Sequence, residues 1–248
     1  MNGFQKHNIN HLSASAINLW INAPDVYIAK YLHGHKQAFG LAPRRCQCVE
    51  TAVHNALTGT DTDKAIANAL ELFDKTFPIG DEKTTKERAL IEPMTHIALE
   101  ELRPFGTPDA GGDEQHKISI EAKGDGWSIP VIGFLDLTYP QHGLIVDLKT
   151  TVRVPTKMSP DHQRQAAIYS AAMGNQSVKF LYCSAKKANW LECEDITEVL
   201  RDTKRTIERM ERFLSKHSAD EALSLIPTNR HSFYWNGDQD GWEKLFGT

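Results

Sequence analysis

The sequence is short of several things. It has only four cysteines in 248 residues, too few for a disulfide framework, and Cys46, Cys48, Cys183 and Cys193 lack the CxxC pairing of a typical zinc site. Reduced thiols are therefore expected. No apolar run approaches the ~18 residues of a membrane span, and the polar start lacks the basic-then-apolar order of a secretory signal. No membrane partner and a cytoplasmic location are expected. Excess positive charge is missing too: Lys and Arg number 28 against 32 Asp and Glu, a net charge of -4. This excludes the strongly basic coat of a dedicated nucleic-acid packager, but not an enzyme that must release its DNA product. With no GxxxxGK phosphate loop, powered unwinding is also excluded.

What is present fits one soluble domain over residues 1–248, since a chain with 40% hydrophobic residues can bury a continuous core. Ser13 is placed to cap a helix carrying Ile17, Trp20 and Ile21, and Pro24 to open a second that runs toward Leu32. Val49, Val53 and Leu57 recur every four residues, which predicts a helix over 45–57 with Glu50 and His54 one turn apart. Helices are expected over 63–77 and 84–102, the second interrupted at Pro93, followed by a Gly/Pro/Asp-rich loop over 105–114. The pattern then changes to that of strands around Ile118 and Ile120, over 128–139 and over 144–150. The connection Pro140-Gln141-His142-Gly143 is short enough to make the last two an antiparallel hairpin. A Ser159-Pro160-Asp161 signal opens a helix ending at Gly174, a buried strand follows over 178–184, and a long helix covers 195–217.

Strand alternation puts Asp147 and Lys149 on one face. A short hairpin can bring Asp136 opposite Asp147. Two carboxylates held together among Ile, Val, Leu and Phe are costly unless a cation neutralises them, which is the physical reason to expect a metal. Oxygen ligands suit Mg2+ or Mn2+, with the Leu148 carbonyl as a further donor. Glu50 and His54 compete for one more position, and both stay open. Lys149 is placed to stabilise charge accumulating on a phosphate.

Gly133-x-x-Asp136, Asp147-x-Lys149 and Gln165-x-x-x-Tyr169, in this order, resemble the PD-(D/E)xK nuclease superfamily, in its RecB-like and phage-exonuclease branch. The resemblance covers roughly residues 12–184, since Ser13-Ala14-Ser15 with Trp20 and Pro24 also resembles the start of these nucleases. It implies an α/β fold with a restriction-endonuclease-like core over about 45–185: a central mixed sheet flanked by helices in the order α-β-β-β-α-β, with a helical N-terminal region and a C-terminal helix. It also implies that His54 holds the motif position upstream of the hairpin. Relatives with an iron-sulfur cluster use one early and three late cysteines. Only Cys183 and Cys193 are late here, so no cluster is expected.

The expected activity is metal-dependent hydrolysis of DNA phosphodiester bonds by Asp136, Asp147 and Lys149, as an exonuclease acting on DNA ends in phage-type recombination or DNA processing. Gln165 and Tyr169, one helical turn apart, orient the site. Arg45 is a candidate phosphate clamp, because a guanidinium matches phosphate in bidentate fashion. By analogy with phage enzymes, a ring-shaped homo-oligomer would keep an acidic protein on DNA, and a single-strand annealing protein would be a partner. A structure-specific endonuclease and a non-catalytic DNA-end-binding protein remain as alternatives. The mixed charges of the last helix read as a solvated face, and Trp235 as a packing residue.

Overall fold

The computed structural model describes residues 2–78, 80–109, 116–120, 127–235 and 237–247, with 116–120 described by backbone alone. The N-terminal part holds α1 (Gly3–Lys6), β1 (Leu12–Ser13), α2 (Ala14–Asn22) and α3 (Pro24–Tyr31). Next come α4 (Leu41–Leu57), α5 (Thr62–Thr76), α6 (Glu82–Ala89), α7 (Ile91–Leu102) and the strands β2 (His116–Ile120), β3 (Val131–Leu135), β4 (Leu137–Tyr139) and β5 (Leu144–Thr150). The chain continues through α8 (Pro160–Ala172), β6 (Ser177–Cys183), β7 (Ala188–Glu192), α9 (Ile196–Lys216), α10 (Ala219–Leu225) and α11 (Gln239–Phe246).

Local chemistry explains several boundaries. Ser13 caps α2 by accepting from the Ala16 N–H, and Ser159 caps α8 by accepting from the His162 N–H. Where one helix interrupted at Pro93 is expected, the break falls at Leu90. Pro93 then lies in the first turn of α7, where its missing N–H removes no helical bond. The strand expected over 128–139 is divided at Asp136 into β3 and β4. Of the loop expected over 105–114, residues 110–115 lie outside the described residues, as does Glu121 at the end of the first expected strand.

Contacts gather into two compact units. The first comprises Met1–Ala38, Ser119–Gly133 and Asp195–Thr248. In it β1 pairs parallel with β3, and α1 and α2 pack on α9. Ile207, Met210 and Leu214 form the buried stripe of α9, while Arg201, Arg205, Arg209, Arg212 and Lys216 are exposed. Trp235 is buried and its indole N–H donates to Asp25 Oδ2 at 2.9 Å. It packs rather than stacks on a ligand.

The second unit, Phe39–Ile118 and Phe134–Glu194, contains a mixed sheet in the order β4-β5-β6-β7. β4 runs antiparallel to β5, β5 parallel to β6 through α8, and β6 antiparallel to β7. Alternation along β5 divides its side chains. Leu144, Val146 and Leu148 join a core with Val49, Ala52 and Val53 of α4, Phe73 of α5 and Met94, Ala98 and Leu99 of α7. Ile145, Asp147 and Lys149 take the other face. This unit is an α/β arrangement with a mixed sheet and flanking helices, and no helix among the described residues is long and apolar enough to cross a membrane.

Asp25 is buried and also accepts from Thr228 Oγ1 at 3.1 Å and the Asn229 N–H at 3.3 Å. Asp25→Ala would leave the buried Trp235 indole N–H without an acceptor. A stability loss of about 1–3 kcal/mol is expected in urea denaturation; a loss below about 0.5 kcal/mol, typical of an ordinary surface change, would contradict this role.

Candidate active site

The site grows from the place where a β-ladder stops. β4 and β5 pair in the register Tyr139↔Leu144, Thr138↔Ile145 and Leu137↔Val146. Continued by one residue, this register sets Asp136 opposite Asp147. Asp136 itself lies in a bend between β3 and β4, so its backbone leaves the ladder and Leu148 loses a strand partner. Side chains replace that partner. Asp136 Oδ2 accepts from the Leu148 N–H at 2.9 Å, and the Cys46 thiol approaches the Leu148 carbonyl at 3.7 Å. Gly143, at φ 57°, gives the connection its left-handed residue.

Asp147 is 1% exposed and forms an ion pair through Oδ1 with the Lys149 ammonium. Its other oxygen, Oδ2, accepts from Gln165 Nε2 at 2.8 Å. The same amide group donates to Tyr169 Oη at 2.8 Å, and the Tyr169 hydroxyl donates to the Phe134 carbonyl at 2.9 Å. Gln165 and Tyr169, expected to orient the site, thus join Asp147 to the strand that leads into Asp136. The Lys149 ammonium is the partner of Asp147 Oδ1, and that contact helps hold the lysine charged.

Helix α4 supplies the third carboxylate. Glu50 Oε1 accepts from the Cys46 thiol at 3.1 Å and feels the charges of Lys149 and Asp147. His54, one turn further on, makes no side-chain hydrogen bond or ion pair with these groups among the described residues. Of the two competing residues, Glu50 is the one brought to Asp136, Asp147 and Lys149. Arg45 is used differently from a surface phosphate clamp. At 3% exposure it ion-pairs with Glu87 and donates to Thr150 Oγ1 and the Thr150 carbonyl at 3.3 Å, bracing the end of β5.

Burial pushes the Glu50 carboxyl up, with Lys149 opposing. For Asp136, burial and then the charges of Glu50 and Asp147 push it well above the ordinary carboxylate range. Burial works against the Lys149 ammonium, but Asp147 and Asp136 outweigh it and hold its pKa well above normal. Lys149 is therefore a fixed cation rather than a base. Burial pushes the Cys46 thiol up to about 12, so it remains a donor.

Residues not singled out from the sequence also line this face. Parallel pairing sets Phe180 beside Asp147 and Tyr182 beside Lys149, and the Lys149 ammonium lies 5.4 Å from the Phe180 ring centroid. His162 stacks on Phe180 with centroids 5.2 Å apart. A signal for His162 existed: with Gln165 and Tyr169 it forms an i, i+3, i+7 stripe on α8. No comparable signal marked Phe180 and Tyr182, whose position depends on strand register.

No protein-family model matches the chain, and no curated protein matches it.

Among the described residues, no three His, Cys, Asp or Glu side chains stand close enough to form a ready ligand cage. The donor chemistry nevertheless fits a hard divalent cation such as Mg2+ or Mn2+. Glu50, Asp136 and Asp147 share the field of one ammonium, so negative charge exceeds positive charge there.

Glu50 and Asp136 hold protons more tightly in the folded chain than in the unfolded one. Their contribution to metal-free stability is fully present below about pH 4 and declines as pH rises through their raised values. Asp136→Asn removes a charge while keeping an oxygen for the Leu148 N–H. At mildly alkaline pH the variant's metal-free thermal midpoint is expected to rise. Below about pH 4 the gain disappears. An unchanged or lower midpoint at alkaline pH would contradict the charge crowding.

Proposed function

We propose that this chain is a divalent-metal-dependent nuclease that hydrolyses DNA phosphodiester bonds, acting as an exonuclease on DNA ends, with a restriction-endonuclease-like core in the second unit. The observation that carries the reading is the mutual electrostatic contact of Glu50, Asp136, Asp147 and Lys149 at the broken end of the β4–β5 ladder. A structural ion pair needs one carboxylate for one ammonium. Three carboxylates around one lysine are costly to the fold and suit a site that takes up a cation and a phosphate.

Asp136, Asp147 and Glu50, with the Leu148 carbonyl, would hold Mg2+ or Mn2+. The bound ion supplies Lewis acidity for the phosphate and lowers the pKa of a water. In the hydrolysis, water oxygen forms a bond to phosphorus as the bond to one ester oxygen breaks. Lys149 stabilises the negative charge that builds on the phosphoryl oxygens. Gln165 fixes Asp147, and Tyr169 fixes both Gln165 and the strand entering Asp136. Arg45 braces the far end of β5.

The proposed partner is DNA. A ring-shaped homo-oligomer would let a chain of net charge -4 stay on it by enclosure, and a single-strand annealing protein would take up the strand it exposes.

The test incubates end-labelled linear duplex, single-stranded DNA and closed circular plasmid with the protein in Mg2+, Mn2+ or EDTA. Shortening of linear DNA with metal only is expected, with closed circles intact. Lys149→Ala, Asp136→Ala and Glu50→Gln should each lose about 100-fold or more, whereas His54→Ala should stay within roughly threefold, because its side chain makes no bond in the site. Cleaved circles would make the enzyme an endonuclease. Binding without cleavage under every metal would make it a DNA-end-binding protein.

A further inference from the structure

His162 belongs to no part of the mechanism above, yet it lies on the same face of the sheet. Its Nδ1 is 2.6 Å from Tyr182 Oη, its ring stacks on Phe180, and it feels the charges of Lys149 and Asp147. Phe180 and Tyr182 are the β6 partners of Asp147 and Lys149, so the histidine is anchored by two neighbours of the carboxylate and the ammonium. Such an anchor fixes an imidazole in both position and ring orientation.

The hydrogen bond also selects the tautomer. Burial pushes the Tyr182 phenol well above its ordinary value, so it keeps its proton. Burial, then Lys149, pushes the His162 imidazole below its ordinary value, so it carries one ring proton at neutral pH. Among the described residues, His162 Nδ1 is the only partner of the Tyr182 hydroxyl. If Nδ1 donated, the phenol proton would have no acceptor. With the phenol donating to Nδ1, the imidazole proton sits on Nε2. Nε2 makes no hydrogen bond among the described residues, yet it is not among the buried polar atoms left without a partner, so it reaches solvent.

We propose that His162, held by Tyr182 and Phe180, is a substrate-binding residue whose Nε2–H donates a hydrogen bond to a phosphodiester oxygen of the nucleic acid beside Lys149. The inference rests on the nuclease reading and adds a neutral donor to its cationic one. Lys149 neutralises charge without directional preference, whereas a planar N–H held by a phenol has one direction and selects an orientation of the phosphate. The residue serves binding, so its loss should fall mainly on KM.

The experiment compares wild type with His162→Ala, His162→Gln and Tyr182→Phe. It measures cleavage of linear DNA in Mg2+, and binding of a fluorescent 5′-phosphorylated oligothymidylate in EDTA. His162→Ala should raise KM and weaken metal-free binding by about tenfold. His162→Gln, whose amide carries an N–H near the Nε2 position, should recover most of both, and Tyr182→Phe should give a smaller loss of about threefold. Wild type that cuts DNA while His162→Ala cuts and binds equally well would overturn this inference alone. So would His162→Gln that is no better than His162→Ala, since a packing role would not distinguish a restored donor. Wild type that neither cuts nor binds would overturn the inference and the nuclease reading together.

Discussion

The β4–β5 ladder ends at Leu137↔Val146, and the site depends on that end. One more pair would have made Asp136 an ordinary strand residue and satisfied Leu148 by backbone alone. Because the chain bends at Asp136, the Leu148 amide takes a carboxylate as its partner and the Leu148 carbonyl faces a thiol from α4. A backbone that must satisfy its polar groups thereby recruits side chains from two other elements. Glu50 of α4, which accepts from the same Cys46 thiol, shares the electrostatic field of Asp136, Asp147 and Lys149.

Those groups are not arranged for stability. One carboxylate would suffice to balance Lys149, yet three are present, and two of them are pushed toward protonation by burial and mutual repulsion. The surrounding hydrogen bonds hold this unfavourable arrangement in place. Gln165 and Tyr169 tie Asp147 to Phe134, Arg45 ties α4 to Thr150, and the apolar faces of α4, α5 and α7 close over the other side of the sheet. On the proposed reading, a bound divalent cation would remove that cost.

Much of this was legible in sequence because it follows from short-range rules. A four-residue connection containing Gly143 marked the hairpin, although its ladder stops at Leu137↔Val146, one pair short of Asp136 and Asp147. Alternation put Asp147 and Lys149 on one face, and helical spacing put Gln165 beside Tyr169. Other features depend on long-range packing. The break at Asp136 reflects a change of sheet, and a run of β-prone residues looks continuous across it. The short strand β7 has partly buried residues from Ala188 to Leu191 and an exposed Glu192, so it lacks the alternation that marks an amphipathic strand. Arg45 reads as a surface cation until Glu87 and Thr150 are found against it. The choice of Glu50 over His54 was open in sequence, because both lie on one side of α4 and only the position of β5 separates them.

The central claim is that the carboxylates at the end of the ladder hold a divalent cation, and the most direct measurement is calorimetric titration of Mn2+ into the metal-free protein, beside Asp136→Asn and Asp147→Asn. The account predicts saturable binding by the wild type that both substitutions weaken by at least about tenfold. Wild-type protein that takes up no Mn2+, or variants that bind it as tightly as wild type, would show that the crowded carboxylates are not a metal site.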